Sequence, residues 1–547
     1  MWICNNKENH AIEDVLTSRG FDLQELKKDT TTYKVTNLEK AAIFLKENLH
    51  RFIYVVADYD CDGIMSALNL DLILKQLNAN YQIRFPRRMS EGYGISLKII
   101  EEIPANSLVI TIDNGITAVD AIKAAKQKNC KVLVLDHHIM RDDKVIPGAD
   151  VIVDPHVFSD EGEFVHYCGA GLAYMLAKEF DFPQELYWKT KVYAALATVA
   201  DVVPLVKNNR VIVKDGLLLI NKKAVDLPAL YDLIRAMRLP IQADYKPFAD
   251  SQDGKMKYFC SRFTELNIGF QIAPCVNAMG RMYDNGAEEV FRIFSGRTKD
   301  TQTGICKMIE TNEVRKSKQS VQFEELEKNT IICDTDRVIV AYAPGLAEGI
   351  VGLNAATFVE KYNRPAIVIT DSATEGVLKG SARSTPDINI KDVLDKVSTC
   401  LLGYGGHAGA AGLQVEKKRL EELREALNLV CPKSETTQNR TYDLEISEKD
   451  IVKTYIDVLK YAPYGEGFPA PIIKIPISSL SKPYRLIKDI GISFSSMRTS
   501  FCSFDTALRD QYLKNPIKKN ITFYGTIEYS TFNQATQVRI LDFAEKD

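Results

Sequence analysis

Apolar runs that end in acid recur through the first two hundred residues. Phe52–Ala57 (FIYVVA) is unbroken, β-branched and too short for a helix, which predicts a buried parallel strand. Ser107–Ile112 (SLVITI), Lys131–Leu135 (KVLVL) and the shorter Asp150–Val153 repeat the pattern. Between them Ile64–Leu77 and Thr117–Lys128 space their apolar residues as helices do, after a turn at Gly63. Further helices are expected within 38–49, at Cys168–Ala177, at Lys191–Ala200 and over most of Glu288–Lys328. In the last of these Ile305, Met308, Ile309, Val321 and Leu326 supply an apolar side. A second α/β unit begins near Ile331, with strands at Arg337–Tyr342 and Ala366–Thr370 and a helix opening at Glu348. After about residue 433 the polar stretch SETTQNRT gives way to short β-rich runs (SFCSF, ITFYGTIEY, QVRILDF), the pattern of a small barrel. Their aromatics suit base stacking or simply a core.

What stands at the strand ends changes the picture. The first run delivers Asp58, Asp60 and Asp62, the second Asp113, the third Asp136-His137-His138, and the helix 191–200 ends in Asp201. Asp-Gly is ordinary turn chemistry and accounts for one or two such acids but not for three. Like charges this close repel unless a cation holds them, and open α/β sheets bind ligands at the carboxyl ends of their strands. His156, beside Pro155, reads more simply as a turn residue. Asp58, Asp60, Asp62, Asp113, His137, His138 and Asp201 make five carboxylates and two imidazoles with no thiolate, which suits Mn²⁺ or Mg²⁺ better than structural zinc. The set is large enough for two ions, about 3.5–4 Å apart and sharing one carboxylate and a hydroxide.

The chain has 547 residues, 46% hydrophobic and 26% charged, enough for about three soluble domains. No apolar run approaches a membrane span, the N-terminus lacks a signal-peptide pattern, and eleven dispersed cysteines without a C-x-x-C pair suit a reducing cytoplasm. The net charge of −3 selects no partner, so a nucleic acid would need local patches. One such patch is Arg84, Arg87 and Arg88 around Pro86, followed by Glu91-Gly92-Tyr93-Gly94, which suits phosphate and equally a solvated loop. Another stretch, Gly403–Gly412 (GYGGHAGAAG), permits either close backbone approach to a ligand or tight packing.

DYDCDG, Asp113-Asn114-Gly115, Asp136-His137-His138 and Ala200–Leu205 (ADVVPL) resemble the four motifs of the DHH phosphoesterase superfamily. In that resemblance the acids and histidines hold a two-metal centre, and Asp136 orients the histidines rather than binding metal. PRRMSEGYGIS, IAPCVNAMGR (Ile272–Arg281) and GGHAGAAG resemble segments of the RecJ family of exonucleases, the last being the DHHA1 signature. The resemblance implies a 5′-phosphate site at Arg88, Arg281, Ser381 and Arg383, with Gly405, Gly406 and His407 contacting substrate and His407 joining the catalytic set. LKYAPYGEGFPAPII resembles the entrance to that family's OB domain, with Tyr464 in place of Phe and Phe468 in place of Asn.

The fold expected is α/β. A DHH domain with a parallel sheet and a helical preface (1–240) is joined through a helical region (241–330) to a DHHA1 domain (331–432), around a cleft. An OB-like barrel (433–547) follows. The activity implied is metal-dependent hydrolysis of single-stranded DNA from the 5′ end to mononucleotides, in recombination and repair. The implied partners are single-stranded DNA, with single-stranded DNA-binding protein and a recombination helicase as candidates, for a monomeric cytoplasmic protein. No long C-terminal extension follows the barrel, which leaves a partner bound there in doubt. A small-substrate oligoribonuclease would not need the OB-like tail, and a non-catalytic DNA scaffold would not need every metal ligand.

Overall fold

A computed structural model describes residues 2–27, 34–88, 90–140, 145–241, 262–434, 440–487, 491–496, 499–517, 519–530 and 535–545. Most of the polar stretch after Ser434 and much of the expected connecting region (242–261) lie outside these residues. The chain forms two compact units, one from Met1–Met308 with Arg440–Asp547 and the other from Ile309–Asn439.

The first unit begins with a short strand, β1 (Trp2–Cys4), and then builds a five-stranded parallel sheet. Its strands are β2 (Ile53–Ala57), β3 (Tyr81–Arg84), β4 (Leu108–Ile112), β5 (Lys131–Leu135) and β6 (Val151–Val153), in the order β3-β2-β4-β5-β6. Every residue of β2 and β4 is buried, as continuous apolar strands covered on both faces must be. The strand order reverses direction between β2 and β4, so the crevice for a ligand falls there. Ala57 pairs with Ile112 and Ile112 with Leu135, so Asp58, Asp113 and Asp136 are the next residues on three adjacent strands.

The first helix starts three residues earlier than its apolar spacing suggests. It spans Cys61–Gln76, capped by Asp60, whose carboxylate accepts the Gly63 N–H at 3.0 Å. Gly63 therefore makes no turn. It lies in the first helical turn, at a position where a Cβ would sit 2.2 Å from the Asp58 carbonyl oxygen. The expected helix at 191–200 runs from Gln184 to Ala200. The long helical region divides into Gly286–Phe294 and Thr301–Asn329, and Val321 is 61% exposed, off the apolar side assigned to it.

The C-terminal part of this unit is a seven-stranded sheet. It contains β13 (Leu444–Glu445), β14 (Ile473–Ser479), β15 (Lys482–Ile487), β16 (Gly491–Ser495), β17 (Ser500–Ser503), β18 (Lys519–Ser530) and β19 (Ala535–Glu545). The order is β13-β14-β18-β19-β17-β16-β15, and among the described residues β13 and β15 remain its edges. Phe494, Phe501 and Phe523 are fully buried, so these aromatics are core, whereas Phe504 is exposed.

The N-terminal residues divide between the two sheets. The helix Leu38–Glu47 sits on the parallel sheet, where Asn37 donates to the Ile152 carbonyl. Residues before 27 instead belong to the C-terminal sheet. Strand β1 pairs in parallel with β12 (Arg440–Tyr442), Trp2 stacks on Tyr524, and Ile12, Val15 and Leu16 are buried with Phe468, Ile473 and Phe501. The helical preface is thus only partly an appendage of the parallel sheet.

The second unit carries a five-stranded sheet in the order β10-β11-β9-β8-β7. Its strands are β7 (Ile339–Tyr342), β8 (Ala366–Asp371), β9 (Val377–Arg383), β10 (Gly403–His407) and β11 (Ala410–Glu416). The helix Glu348–Tyr362 joins β7 to β8, which run parallel. The other pairs are antiparallel.

Candidate metal centre

All seven acids and imidazoles read from the strand and helix ends meet in the first unit. Ligand atoms of Asp113, His137 and His138 lie within 4.8 Å of one another, as do those of Asp62, His137 and Asp201, and those of Asp58, Asp60 and Asp113. His137 Nε2 stands 3.0 Å from Asp113 Oδ1, 3.5 Å from Asp62 Oδ2 and 3.7 Å from Asp201 Oδ2. Asp113 and His137 each belong to two of the three groups, which makes them the joint of the cluster.

Backbone geometry aims these groups. Asp113 holds φ at 59°, a left-handed conformation that its short polar side chain tolerates and that turns the carboxylate off the strand line. Gly169 packs against it, since a Cβ there would lie 2.8 Å from Asp113 Cβ. The N–H groups of Gly169 and Ala170, at the start of a helix, donate to the two oxygens of Asp62 at 2.6 and 2.8 Å.

Asp136 is hydrogen-bonded to the histidine pair that follows it. Its Oδ1 accepts from His138 Nδ1 at 2.7 Å and from the N–H of His137 at 2.8 Å, while Oδ2 accepts from Ile116 N–H. Burial works against the His138 imidazolium, but the hydrogen bond and charge of Asp136 override it and raise its pKa to about 9. Burial, aided by the His138 charge, pushes His137 down to about 4, leaving it neutral with a lone pair to offer.

The carboxylates are strained by their own proximity. Burial and then the charge of Asp60 raise Asp58 well above the usual range, and burial with Asp62 does the same to Asp113 and Asp201. Asp60 is raised by burial and by Asp62. Asp58 Oδ1 is buried without a hydrogen-bond partner. An orphaned carboxylate oxygen amid four mutually repelling acids is the environment a divalent cation relieves. Burial also pushes the thiols of Cys61 and Cys168 well up, so thiolate is not on offer. The donors are carboxylate and imidazole, and they fit Mn²⁺ or Mg²⁺.

Two further participants, Tyr93 and Asn277, carry no signal in residue type alone, while Asp154 follows a strand as the other acids do. Tyr93 OH lies 3.1 Å from His138 Nε2 and donates to the Asp113 carbonyl. Asn277 Oδ1 accepts the Cys61 N–H at 2.7 Å, fixing the turn that carries the three first acids. Asp154, after β6, is buried with Oδ2 unpartnered, and burial with the nearby Asp136 charge raises it to about 8. Tyr93 and Asn277 both fall inside quoted motifs, yet only the fold reveals what they touch.

The basic loop resolves into different roles. Arg84 is occupied by Glu91 and Glu102. Arg88 instead lies over the Tyr59 ring at 4.9 Å, and the positive charges of Arg88 and Arg281 oppose the upward shifts of Asp58 and Asp60 respectively. Arg281 ends the helix Ala273–Met282, which presses on the same turn, where a Cβ on Gly280 would stand 2.8 Å from the Tyr59 carbonyl oxygen.

In the second unit the glycine-rich stretch forms the β10–β11 hairpin. Register sets Arg383 beside Ala410 and Ala410 beside His407, while Ser381 stands beside Gly412 and Gly412 beside Gly405. Directly paired residues share a sheet face, so Ser381, Arg383 and His407 share one, with alanine and glycine beside them on β10 and β11 and Val368 beside Ser381 on β8. Arg383 Nη1 donates to Ser381 Oγ at 2.9 Å. Gly406, at φ 149°, meets the Ala410 carbonyl oxygen so closely that a Cβ would lie 2.3 Å away.

Two family models match this chain: the DHH family, N-terminal domain, over residues 52–200 and the DHHA1 domain over 335–432. The single-stranded-DNA-specific exonuclease RecJ of Haemophilus influenzae is 28% identical over 506 residues, covering 86% of this chain and 84% of its own. The Bacillus subtilis enzyme of the same name is 28% identical over 488 residues, covering 85% of this chain and 58% of its own. The fold also superposes on RecJ from Thermus thermophilus, crystallised in complex with Mn²⁺, at a TM-score of 0.78 and 22% identity, over 97% of this chain and 75% of that one.

Proposed function

The chain belongs to the RecJ family of DHH–DHHA1 phosphoesterases, and from that membership we propose that it is a metal-dependent exonuclease that degrades single-stranded DNA from the 5′ end to mononucleotides, in recombination and repair. The observation that carries this reading is the convergence of seven acids and imidazoles, ordered along the chain as in the DHH motifs, at the switch point of the parallel sheet.

Asp58, Asp60, Asp62, Asp113, His137, His138 and Asp201 are assigned to hold two divalent cations, Mn²⁺ or Mg²⁺. Bound there, the cations supply a water acidic enough to be hydroxide near neutral pH and positive charge for the phosphate oxygens. The chain's own groups do the rest. Asp136 fixes the His138 ring and its tautomer, which leaves Nε2 as the nitrogen that would serve a cation. The Tyr93 hydroxyl lies beside the same ring, 3.1 Å from Nε2. On the same reading Arg88 and Arg281 are phosphate-binding groups of the first unit, and Ser381 and Arg383 are phosphate-binding groups of the second, each acting through charge-assisted hydrogen bonds. His407 and the hairpin backbone at Gly405 and Gly406 are assigned to substrate contact in the second unit, His407 as a hydrogen-bond donor for developing charge. The C-terminal sheet holds the downstream strand without sequence preference. The same reading makes the protein a cytoplasmic monomer, with single-stranded DNA-binding protein and a recombination helicase as candidate partners.

The test is a long single strand labelled at either end and incubated with the protein and Mn²⁺. Progressive release of mononucleotides from the 5′ end, with duplex spared, is expected. Cleavage confined to strands a few nucleotides long would indicate an oligoribonuclease instead, and binding without cleavage would indicate a scaffold.

A further inference from the structure

Asp201 is the C-cap of the helix Gln184–Ala200, its N–H donating to Ala197 at 2.8 Å. From there the chain reaches the next helix, Lys207–Asn221, through two left-handed non-glycine residues, Val202 at φ 56° and Lys207 at φ 45°. A β-branched residue in that conformation persists only when its surroundings enforce it. Val202 is 63% exposed, so the enforcement does not come from its own side chain.

Two to three residues on, the same segment is anchored to the turn Tyr461–Phe468 at the entrance to the C-terminal sheet. Gly465 and Phe468 close that turn by exchanging N–H···O bonds at 3.0 and 3.1 Å. Leu205 N–H donates to the Glu466 carbonyl at 2.7 Å. The two glycines let it approach, because a Cβ on Gly465 would sit 3.2 Å from Leu205 Cδ2 and one on Gly467 would sit 3.2 Å from Pro204 Cβ. Arg210, one helical turn on, is 5% exposed and spans the back of the turn. Its Nη1 donates to the Pro463 carbonyl at 2.5 Å and Nη2 to Tyr461 at 2.6 Å. Its guanidinium lies 4.4 Å over Phe468, which stacks on Tyr464. Tyr464 and Phe468 are the two departures from the family's entrance motif, and they are each other's neighbours under this arginine. Asn209 completes the brace by donating to the Pro204 carbonyl at 3.1 Å.

Burying a guanidinium against main-chain carbonyls is unfavourable unless geometry is fixed in return, and a planar fork fixes two carbonyls at once as a lysine cannot. We infer that Arg210 is a positioning residue of the metal centre: it locks the entrance turn against Pro204 and Leu205 and thereby holds Asp201 in its cation-facing place. The C-terminal domain is then part of the metal site as well as a grip on DNA. This inference rests on Asp201 being a cation ligand, as proposed above.

The test titrates the full-length, metal-free protein with Mn²⁺ and reads free Mn²⁺ by electron paramagnetic resonance. Arg210→Met is expected to weaken one class of Mn²⁺ site by about 10–100-fold while circular dichroism shows a folded chain. Arg210→Lys should restore little of it. Hydrolysis by Arg210→Met should recover at saturating Mn²⁺ with KM for DNA unchanged. Leu205→Ala, which trims the contact without stranding a charge, should act in the same direction and serves if Arg210→Met does not fold. Parental Mn²⁺ affinity in a folded Arg210→Met or Leu205→Ala protein, beside a weakened Asp201→Asn control, overturns the inference alone. Parental affinity in Asp201→Asn removes the premise itself.

Discussion

At the scale of the residue, the chemistry is one of charges held where they do not rest easily. Asp113 shows the sign of this. Burial raises its carboxyl above its unfolded value, so its contribution to stability is full below the unfolded pKa and lost as pH rises through the folded one. At neutral pH without metal, the carboxylate therefore destabilises the fold. Asp113→Asn keeps the left-handed backbone, which asparagine also tolerates, and removes the charge. It should melt higher than the parent in EDTA, lose most of the Mn²⁺-induced rise in Tm, and hydrolyse DNA at least about 100-fold more slowly. Thermal melts with and without metal check the first two outcomes, and parental activity would sink the site assignment.

His138 gives the pH dependence. Held at about 9 by Asp136, it is protonated at pH 7 in the metal-free protein, and its stabilising contribution is lost only as pH rises through that value. A cation must displace the proton to reach the ring. Mn²⁺ affinity should thus climb with pH up to about 9, by about tenfold per unit for a single proton. Calorimetry in buffers of different ionisation enthalpy counts the protons released, and none released would contradict this account.

At the scale of the element, in-register parallel strands convert a linear pattern into a cluster. This is why so much of the site was legible: β2, β4 and β5 are unbroken apolar runs, and the residue after each must surface at the same edge. What was not legible is whatever depends on close approach. Gly63 looks like a turn glycine in sequence, yet it is a packing glycine against Asp58. Gly63→Ala, a favourable change in an ordinary helix, should here cost about 1–3 kcal/mol in urea unfolding, because the Cβ meets backbone that cannot yield. An increase in stability would show that the turn relaxes freely. Tyr93 and Asn277 were equally hidden, since their partners are 20 to 216 residues away.

The β9–β11–β10 face makes a separable claim. Ser381, Arg383 and His407 share one face, with alanine and glycine beside them on β11 and β10 and Gly352 of the helix Glu348–Tyr362 close against Ser381 and Arg383. Arg383→Ala should erase the preference for 5′-phosphorylated over 5′-hydroxyl strands, leaving Mn²⁺ binding unchanged. If the parent does not distinguish the two strands, the phosphate grip is misassigned.

At the scale of the whole molecule, the ends of the chain are joined, and no local pattern could announce it. Strand β1 pairs with β12 some four hundred residues on, Arg19 bridges Asp443 at 2.7 Å, and Trp2 Nε1 donates to Asp542. The helix Ile12–Ser18 buries Ile12, Val15 and Leu16, and nothing in the local sequence says which core receives them. The consequence falls on truncation. A chain ending at residue 434 would leave Ile12, Val15 and Leu16 without the residues they are buried with, each burial being worth about 1.5–3 kcal/mol. It should aggregate, as read by size exclusion with light scattering, and its first 26 residues should be cut early by protease. Removing residues 1–33 as well should restore a monodisperse protein. That shortened chain still lacks the turn at 461–468, so it should bind Mn²⁺ more weakly than the full-length protein. A monodisperse, protease-resistant 1–434 chain would mean that the N-terminal helix finds a second home on the parallel-sheet domain. Full Mn²⁺ affinity in the doubly shortened chain would mean that the loop carrying Asp201 holds its strained form unaided.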